Sequence, residues 1–310
     1  MHSLVLWMFL TPLGSSIASE RYALLVGVNE CPNYELPEGG KPRPLRGAEN
    51  DARALAEMLQ EKFGFDESNV QLLIGEAATC RAITTSLEQL AAKVTEDDVL
   101  VFHFSGHGTQ FEDRRPFDEA DGLDEALCPH DALANGENLL TDDALGLLLT
   151  EIPARRITVL LDCCHAGTGI KDAETEFTPR YLPPIKTAES VESANEQPPW
   201  REVRSAAKGF GSELTAIYAC RADQQAYERR MLTTRPPRHM GQFTHYLLAG
   251  LKDNTADDNQ DGKISHAELL EFVTRQLDDK YNRLRRNPSE QQRPAADVPR
   301  PEEAIFGTTP

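Results

Sequence analysis

The sequence has 310 residues and 40% hydrophobic content, enough for one enzyme-sized domain of about 250 residues with a buried core. The 32 basic and 50 acidic side chains give a net charge of −18, which argues against nucleic acid and against an anionic membrane surface as partners. Six cysteines without a CxxC pair do not form the pattern of a disulfide scaffold, so we expect mostly free thiols.

An apolar stretch at residues 4–13 opens the chain and is followed by the small residues Ser16 and Ala18. This pattern predicts a signal peptide over residues 1–19, although His2 stands where basic residues are usual. The stretch is too short to span a membrane, and we expect no membrane association. A mis-assigned start codon and an apolar segment leading into the first strand are the alternatives. Localisation therefore stays open between export and the cytoplasm.

Hydrophobic runs that are typical of buried strands alternate with helical patterns along most of the chain. The predicted strands cover residues 22–28, 69–74, 98–104, 157–162 and 214–219, and the predicted helices cover 48–63, 80–94, 141–150 and 242–252. Such alternation predicts an α/β fold with a mostly parallel central sheet flanked by helices. We expect this domain to extend over residues 20–280.

Two glycine-containing loops follow the third and fourth predicted strands. The first is 105–108 (SGHG) and the second is 162–167 (DCCHAG). The carboxyl ends of neighbouring parallel strands form the usual ligand crevice, where a histidine base, a cysteine nucleophile and backbone N–H donors can meet. A zinc site formed by Cys163, Cys164, His165 and His107 is the alternative, but adjacent cysteines lack the usual ligand spacing.

Six segments in a fixed order resemble the caspase-like cysteine peptidases, and among them the metacaspases and their bacterial relatives. The segments are 22–29 (YALLVGVN), 45–52 (LRGAENDA), 101–108 (VFHFSGHG), 122–127 (GLDEAL), 162–167 (DCCHAG) and 219–228 (ACRADQQAYE). The resemblance implies a three-layer caspase-like fold and a His107–Cys164 dyad with Cys164 rather than Cys163 as nucleophile. Backbone N–H groups near Gly108 and Cys164 are predicted to hold the oxyanion. The caspase signature QAC[RQG]G is absent, which argues against cleavage after Asp.

A pocket for a basic side chain is also implied by the resemblance, with Asp51 and Asp162 as its floor and the Ser105 hydroxyl beside them. Carboxylates facing a guanidinium form charge-assisted pairs, so we expect protein or peptide substrates with exposed Arg or Lys. Ala48 departs from the many metacaspases that carry a cysteine there. For Asp51, the alternative is a solvated residue in the first turn of a helix. We expect a monomer.

Residues 171–212 are rich in Pro, Glu, Thr and Ser and are predicted to form a linker between two subunits. Its candidate self-cleavage sites are Lys171, Arg180, Lys186, Arg201, Arg204 and Lys208, and an uncut surface loop is the alternative. Residues 281–310 contain several arginines and prolines and are predicted to form a flexible C-terminal tail.

The resemblance implies an activating calcium ion bound by Asp124, Asp142 and Asp143. The fourth expected carboxylate is displaced, because Lys171 occupies its counted position and Asp172 follows. Carboxylate oxygens suit this cation. A helix N-terminus at Asp142 and Asp143, capped by Thr141, is the alternative.

A second calcium site is predicted independently by residues 257–268 (DDNQDGKISHAE), which fit the EF-hand loop. The ligands would be Asp257, Asn259, Asp261, the Lys263 carbonyl and Glu268. The sequence therefore predicts a cysteine endopeptidase, with calcium as its cofactor. A catalytically silent caspase-like scaffold and a calcium-binding module are the alternatives.

Overall fold

The computed structural model of the protein describes residues 19–112, 123–164, 177–183, 213–285 and 287–307. Its strands are β1 (Arg21–Gly27), β2 (Val70–Ile74), β3 (Val99–Ser105), β4 (Gly108–Glu112), β5 (Leu123–Leu127), β6 (Leu140–Thr141), β7 (Arg156–Asp162), β8 (Thr178–Pro179), β9 (Glu213–Tyr218), β10 (Tyr227–Met231), β11 (Arg238–Gly241) and β12 (Ala295–Asp297). The α-helices of these residues are α1 (Ala48–Phe63), α2 (Cys80–Lys93), α3 (Asp142–Thr150), α4 (Gln242–Leu251) and α5 (His266–Lys280).

The central sheet has six strands in the order β12-β9-β7-β3-β1-β2. All of its pairs are parallel except the pair of β12 with β9, which is antiparallel. Strands β3 and β7 are neighbours, and Ser105 lies opposite Asp162 at their carboxyl ends. The predicted α/β fold with a mostly parallel sheet is confirmed, and its order brings the two glycine-containing loops to one edge.

Helices cover both faces of this sheet and produce three layers. Along β1, Leu24 and Val26 pack in a core cluster with α2 and α3, while Ala23 and Leu25 pack in a second cluster with α1, α4 and α5. This division follows from the alternation of side chains along a strand. Helix α1 ends at Gly64, whose φ of 68° is a left-handed cap conformation that glycine adopts without strain.

Two small sheets, β4-β5-β6 and β11-β10-β8, extend beyond the carboxyl edge of the central sheet. Strand β4 begins at Gly108, directly after the predicted catalytic histidine. Strand β8 lies within the predicted linker and pairs antiparallel with β10. These sheets place additional backbone and side chains around the loops that follow β3 and β7.

The prediction of a flexible tail over residues 281–310 is corrected by the packing of its described part. Strand β12 completes an edge of the central sheet. Phe306 is 1% exposed, and its ring contacts those of Phe63 and Phe65 with centroids 5.2 and 6.5 Å apart. Composition was misleading because a few apolar side chains are enough to dock a segment that is otherwise polar.

Other predictions lie outside the described residues. These are all but the last residue of the signal peptide predicted over 1–19, Asp172, and the candidate cleavage sites Lys171, Lys186, Arg201, Arg204 and Lys208. Among the described helices, none is long and apolar enough to cross a bilayer.

Candidate active site

The predicted catalytic pair lies at the carboxyl edge of the central sheet. His107 follows β3 by two residues and Cys164 follows β7 by two residues, and these strands are hydrogen-bonded neighbours in register. Both side chains are buried, with exposed fractions of 3% and 0%. The main chain also ties the loops together, because the Gly106 N–H donates to the Asp162 carbonyl at 3.3 Å.

The two adjacent cysteines pack in different environments. Cys163 lies in the apolar cluster with α2 and α3, whereas Cys164 lies in the cluster with α1, α4 and α5. The Ala226 N–H donates to Cys164 Sγ at 2.8 Å, and the thiol donates to the Ala226 carbonyl at 3.2 Å. Burial, together with Cys164 and Asp162, raises the pKa of Cys163 well above its usual value. Cys163 is therefore kept as a neutral thiol, which is a poor nucleophile.

The imidazole of His107 is neutral at physiological pH. Burial lowers the pKa of His107 to about 4, although the nearby Arg43 backbone opposes the shift. A neutral imidazole can accept a proton, so His107 has the protonation state of a general base.

The side chain of Arg180 fills the pocket predicted for a basic residue. Its guanidinium is fully buried, with Nη2 2.7 Å from Asp51 Oδ2 and Nη1 3.0 Å from Asp162 Oδ1. Nη1 also donates to Ser105 Oγ at 2.7 Å, and Ser105 Oγ donates to Asp51 Oδ2 at 2.8 Å. The structure thus brings the three predicted pocket residues together around one guanidinium.

A third carboxylate, Glu228 on β10, was missed from the sequence. Its Oε2 lies 3.4 Å from Arg180 Nη2, and its two oxygens accept the N–H groups of Arg46 and Gly47 at 2.7 and 3.0 Å. Glu228 ends the sixth segment of the family resemblance, which was the only available signal. Glu228 lies on a strand that pairs with both β8 and β11, and the short and polar strand sequences do not predict this pairing.

The pocket wall and floor are completed by Gly241 and Thr244. The Gly241 N–H donates to both oxygens of Asp51 at 3.1 Å, and the Thr244 hydroxyl and N–H donate to Asp162 Oδ2 at 2.7 and 3.1 Å. A Cβ on Gly241 would come within 2.2 Å of Asp162 Oδ2 and 2.6 Å of Arg180 Nη1. Glycine is therefore required for the guanidinium and the carboxylate to meet.

Burial and neighbouring charges shift the pKa values of Arg180 and Asp51. Burial alone would lower the pKa of Arg180, but Asp162, Asp51 and Glu228 outweigh it and raise that pKa above its usual value. Burial raises the pKa of Asp51 to about 7. The guanidinium of Arg180 lowers this pKa, and the charge of Asp162 raises it further. The guanidinium therefore stays charged, while Asp51 titrates close to neutrality.

The backbone of Arg180 is held as firmly as its side chain. Its carbonyl oxygen accepts the N–H groups of Gly108 at 3.0 Å and of Cys164 at 3.1 Å, and its own N–H donates to the Ala226 carbonyl at 3.0 Å. On the following side, the Leu182 N–H donates to the Gly108 carbonyl at 2.8 Å. Two N–H donors on one carbonyl oxygen, beside a cysteine, form the geometry of an oxyanion hole.

Sequence similarity relates this chain to known proteins. The family model described as Caspase domain matches residues 20–300. The chain belongs to the caspase-domain family. Its similarity to Metacaspase-4 of Arabidopsis thaliana is 34% identity over 161 residues, covering 50% of this chain and 35% of that protein. Metacaspase-1B of Aspergillus fumigatus is 28% identical over 300 residues, covering 86% of this chain and 69% of that protein.

A solved structure shares the fold of this caspase-domain protein. The crystal structure of protein GSU0716 from Geobacter sulfurreducens aligns with a TM-score of 0.59 and 23% identity, covering 94% of this chain and all of that one. The chain spans about a third of the length of Metacaspase-4. The predicted membership in the caspase-like cysteine peptidases of metacaspase type is confirmed.

The carboxylates predicted to hold an activating calcium ion are placed in two elements of the caspase domain. Asp124 lies on β5 and Asp142 begins α3, both buried. Burial, with Asp143 and Asp124, raises the pKa of Asp142 to about 7. The Thr141 hydroxyl accepts the Ala144 N–H at 3.2 Å. Thr141 therefore caps the helix that begins at Asp142, as the helix-capping alternative predicted.

The side-chain oxygens of the EF-hand-like loop accept hydrogen bonds from backbone N–H groups of the same loop. Asp257 accepts the N–H of Gly262 at 2.9 Å, Asn259 accepts that of Asp261 at 2.8 Å, and Asp261 accepts that of Lys263 at 2.9 Å. Glu268 accepts the N–H of Ser265 at 2.9 Å from the start of α5. Within the described residues, no three His, Cys, Asp or Glu side chains are grouped closely enough to hold a metal ion.

Proposed function

We propose that the protein is a cysteine endopeptidase that cleaves peptide bonds after Arg or Lys, with Cys164 as nucleophile and His107 as general base. The observation that carries this proposal is the placement of Arg180. Its guanidinium contacts Asp51, Asp162 and Glu228, and its carbonyl oxygen accepts two N–H groups of the catalytic loops. A substrate arginine held in this way presents its carbonyl carbon to the cysteine loop.

The proposed reaction is an acyl transfer in two steps. His107 accepts the thiol proton, and Cys164 Sγ attacks the carbonyl carbon while the N–H groups of Gly108 and Cys164 stabilise the oxyanion. The C–N bond then breaks, the leaving amine takes the proton from His107, and a thioester to Cys164 remains. Water, deprotonated by His107, hydrolyses the thioester and frees the thiol.

The preference for basic residues follows from the net charge of the pocket. Three carboxylates surround one guanidinium, and all of these side chains are at most 2% exposed. An acidic substrate side chain would face three carboxyl groups and no cation in a buried site, which is strongly unfavourable. Lysine carries one charge but lacks the planar fork that reaches Asp51 and Asp162 together, so Arg should be the better substrate.

The same placement makes the bond between Arg180 and Tyr181 the proposed site of self-cleavage. Arg180 is one of six basic residues predicted as cleavage sites in the linker, and it is the one whose side chain and carbonyl occupy substrate positions among the described residues. Cleavage there would yield fragments of residues 1–180 and 181–310.

The decisive experiment follows the full chain by intact mass after purification. We expect the wild-type chain to be cut after Arg180 and the Cys164→Ala chain to remain whole. Cys163→Ala is the matched control, because the Cys163 side chain packs on the opposite face of the sheet from Cys164. The Cys163→Ala chain should still be cut. Cutting of Cys164→Ala, or protection by Cys163→Ala alone, would contradict the assignment of the nucleophile.

Specificity is measured separately with fluorogenic peptides that end in Arg, Lys or Asp. We expect Arg to be cleaved at least as well as Lys, and Asp to be left uncut, for the electrostatic reason given above. Preferred cleavage after Asp would contradict the acidic pocket. Complete lack of turnover, with calcium or with a chelator, would support the silent scaffold instead.

Calcium activation is the remaining part of the proposal. Its support is the electrostatic interaction of Asp124 and Asp143 with buried Asp142, and the EF-hand pattern in the sequence of residues 257–268, since carboxylate oxygens suit a hard cation. Calcium would supply positive charge to these carboxylates and fix the elements that carry them. Calorimetry should show that Asp143→Ala and Asp257→Ala each remove the binding event of their own site. Unchanged calcium binding in both variants would contradict the two assignments.

A further inference from the structure

The residues before Arg180 form a strand that fixes how a substrate lies. Thr178 and Pro179 of β8 pair antiparallel with Glu228 and Tyr227 of β10, and the Arg180 N–H donates to the Ala226 carbonyl. A substrate that replaces this segment adds a strand to β10, so the position of each of its side chains is set by main-chain hydrogen bonds. The residue three positions before the basic one then takes the place of Phe177.

Phe177 lies in a cluster that is separate from the carboxylate pocket. Its ring contacts the Tyr281 ring edge-on, with centroids 4.9 Å apart at an interplanar angle of 61°. The guanidinium carbons of Arg285 and Arg229 lie 4.9 and 5.4 Å from the centroid of the Phe177 ring. We call Arg229, Tyr281 and Arg285 the aromatic clamp.

We propose that the aromatic clamp is a second specificity site, which selects substrates with an aromatic residue three positions before the cleaved Arg or Lys. The inference rests on the proposed peptidase function and deepens it. Cations over a ring face and a ring edge against a ring are both interactions that an aromatic side chain makes and an aliphatic one of similar size does not. The clamp therefore distinguishes Phe from Leu by its electrostatics as well as by its volume.

The clamp is built partly from the segment that was predicted to be a tail. Tyr281 follows directly after α5, and its ring also packs on Tyr227 of β10 with centroids 5.6 Å apart. Arg285 lies over the Tyr281 ring at 4.8 Å. Because Tyr281 is held on both sides, the clamp keeps its shape when Phe177 is replaced by another aromatic side chain.

The test uses four fluorogenic peptides of the form Xaa-Thr-Pro-Arg, in which Xaa is Phe, Leu, Ala or Glu. We expect kcat/KM for the Phe peptide to exceed that for the Ala peptide about tenfold, with Leu between them. In the Arg285→Ala variant the ratio of Phe to Ala should fall to about twofold. Arg283→Ala is the matched control, since Arg283 is exposed and two residues away, and it should keep the wild-type ratio.

Each outcome separates the two levels of the proposal. Equal cleavage of all four peptides, or an unchanged ratio in Arg285→Ala, would overturn the aromatic clamp and leave the peptidase function standing. Preferred cleavage of the Glu peptide would show that the two arginines receive a carboxylate and would also overturn it. Failure to cleave any of the peptides would contradict the peptidase function itself, and the clamp with it.

Discussion

At the scale of single residues, the pocket depends on what Gly241 lacks as much as on the carboxylates. Its φ of −62° and ψ of 138° are accessible to any residue, so alanine would fit the backbone there. The methyl group of alanine would nevertheless collide with Asp162 Oδ2 and with the guanidinium bound beside it. Gly241 therefore acts on substrate binding without bearing a functional group.

We predict that Gly241→Ala lowers kcat/KM for an Arg peptide by about 100-fold, because the guanidinium loses its place against Asp162. The thermal midpoint of the variant serves as the control and should change by only a few degrees. Wild-type kinetics in Gly241→Ala would show that the pocket can move aside and that the glycine is not required.

The pKa of Asp51 gives the pocket a pH dependence. With a guanidinium bound, burial already raises this pKa to about 7, and without the guanidinium it is higher still, because the cation lowers it. Binding of a guanidinium therefore releases a proton from Asp51 in a pH range that begins near 7 and extends upward. Asp162 and Glu228 are the other carboxyl groups around this guanidinium. Ionised Asp51 is therefore stabilised most when the guanidinium is bound between them.

We predict that KM for an Arg peptide falls by about three- to tenfold as pH rises from about 6.5 to about 8.5, because Asp51 ionises more readily in the bound state. His107 does not contribute in this range, since its pKa is about 4. Steady-state kinetics across the range measure the effect, and Asp51→Asn should bind weakly with a flat profile. A KM that rises with pH would contradict the assignment of Asp51.

At the scale of elements, the sequence predicted the long strands and helices well and the small sheets not at all. Buried parallel strands such as β3 and β7 are continuous apolar runs and are therefore conspicuous. Strands β10 (YERRM) and β11 (RHMG) are short and polar, and their partners are set by tertiary packing. Glu228 belongs to one of these strands, which is why its contact with Arg180 was not predicted.

The described part of the C-terminal segment behaves as an element of the core, and this can be measured. We predict that Phe306→Ala lowers the free energy of unfolding by about 3 kcal/mol, because its ring is buried against Phe63 and Phe65. Leu284→Ala, at a position that is 72% exposed, is the control and should change it by less than about 0.5 kcal/mol. Equal effects in denaturant titrations would mean that the segment is not docked.

At the scale of the whole molecule, one caspase domain gathers its site from distant parts of the chain. The resemblance named the dyad loops and the residues Asp51, Ser105 and Asp162, because these lie in contiguous motifs. It left Arg180 indistinguishable from five other basic residues in the linker. Within the described residues, Arg180 is marked by the contacts of its guanidinium and its carbonyl oxygen, and those contacts are a property of the folded chain.

The segment that carries Arg180 remains joined to Cys164 through residues 165–180 after the proposed cut. The new Arg180 carboxylate is thus a product that cannot diffuse away, with an effective concentration on the order of millimolar. A substrate has to compete with it until a second cut on the same stretch removes it, and Lys171 is the predicted cleavage site there. We therefore predict that Lys171→Gln is still cut after Arg180 but shows a several-fold higher KM for Arg peptides than the wild-type protein. Equal KM values in progress curves of the two proteins would contradict this prediction. According to this prediction, the first cut leaves the enzyme inhibited by its own product, and the timing of the second cut sets when activity begins.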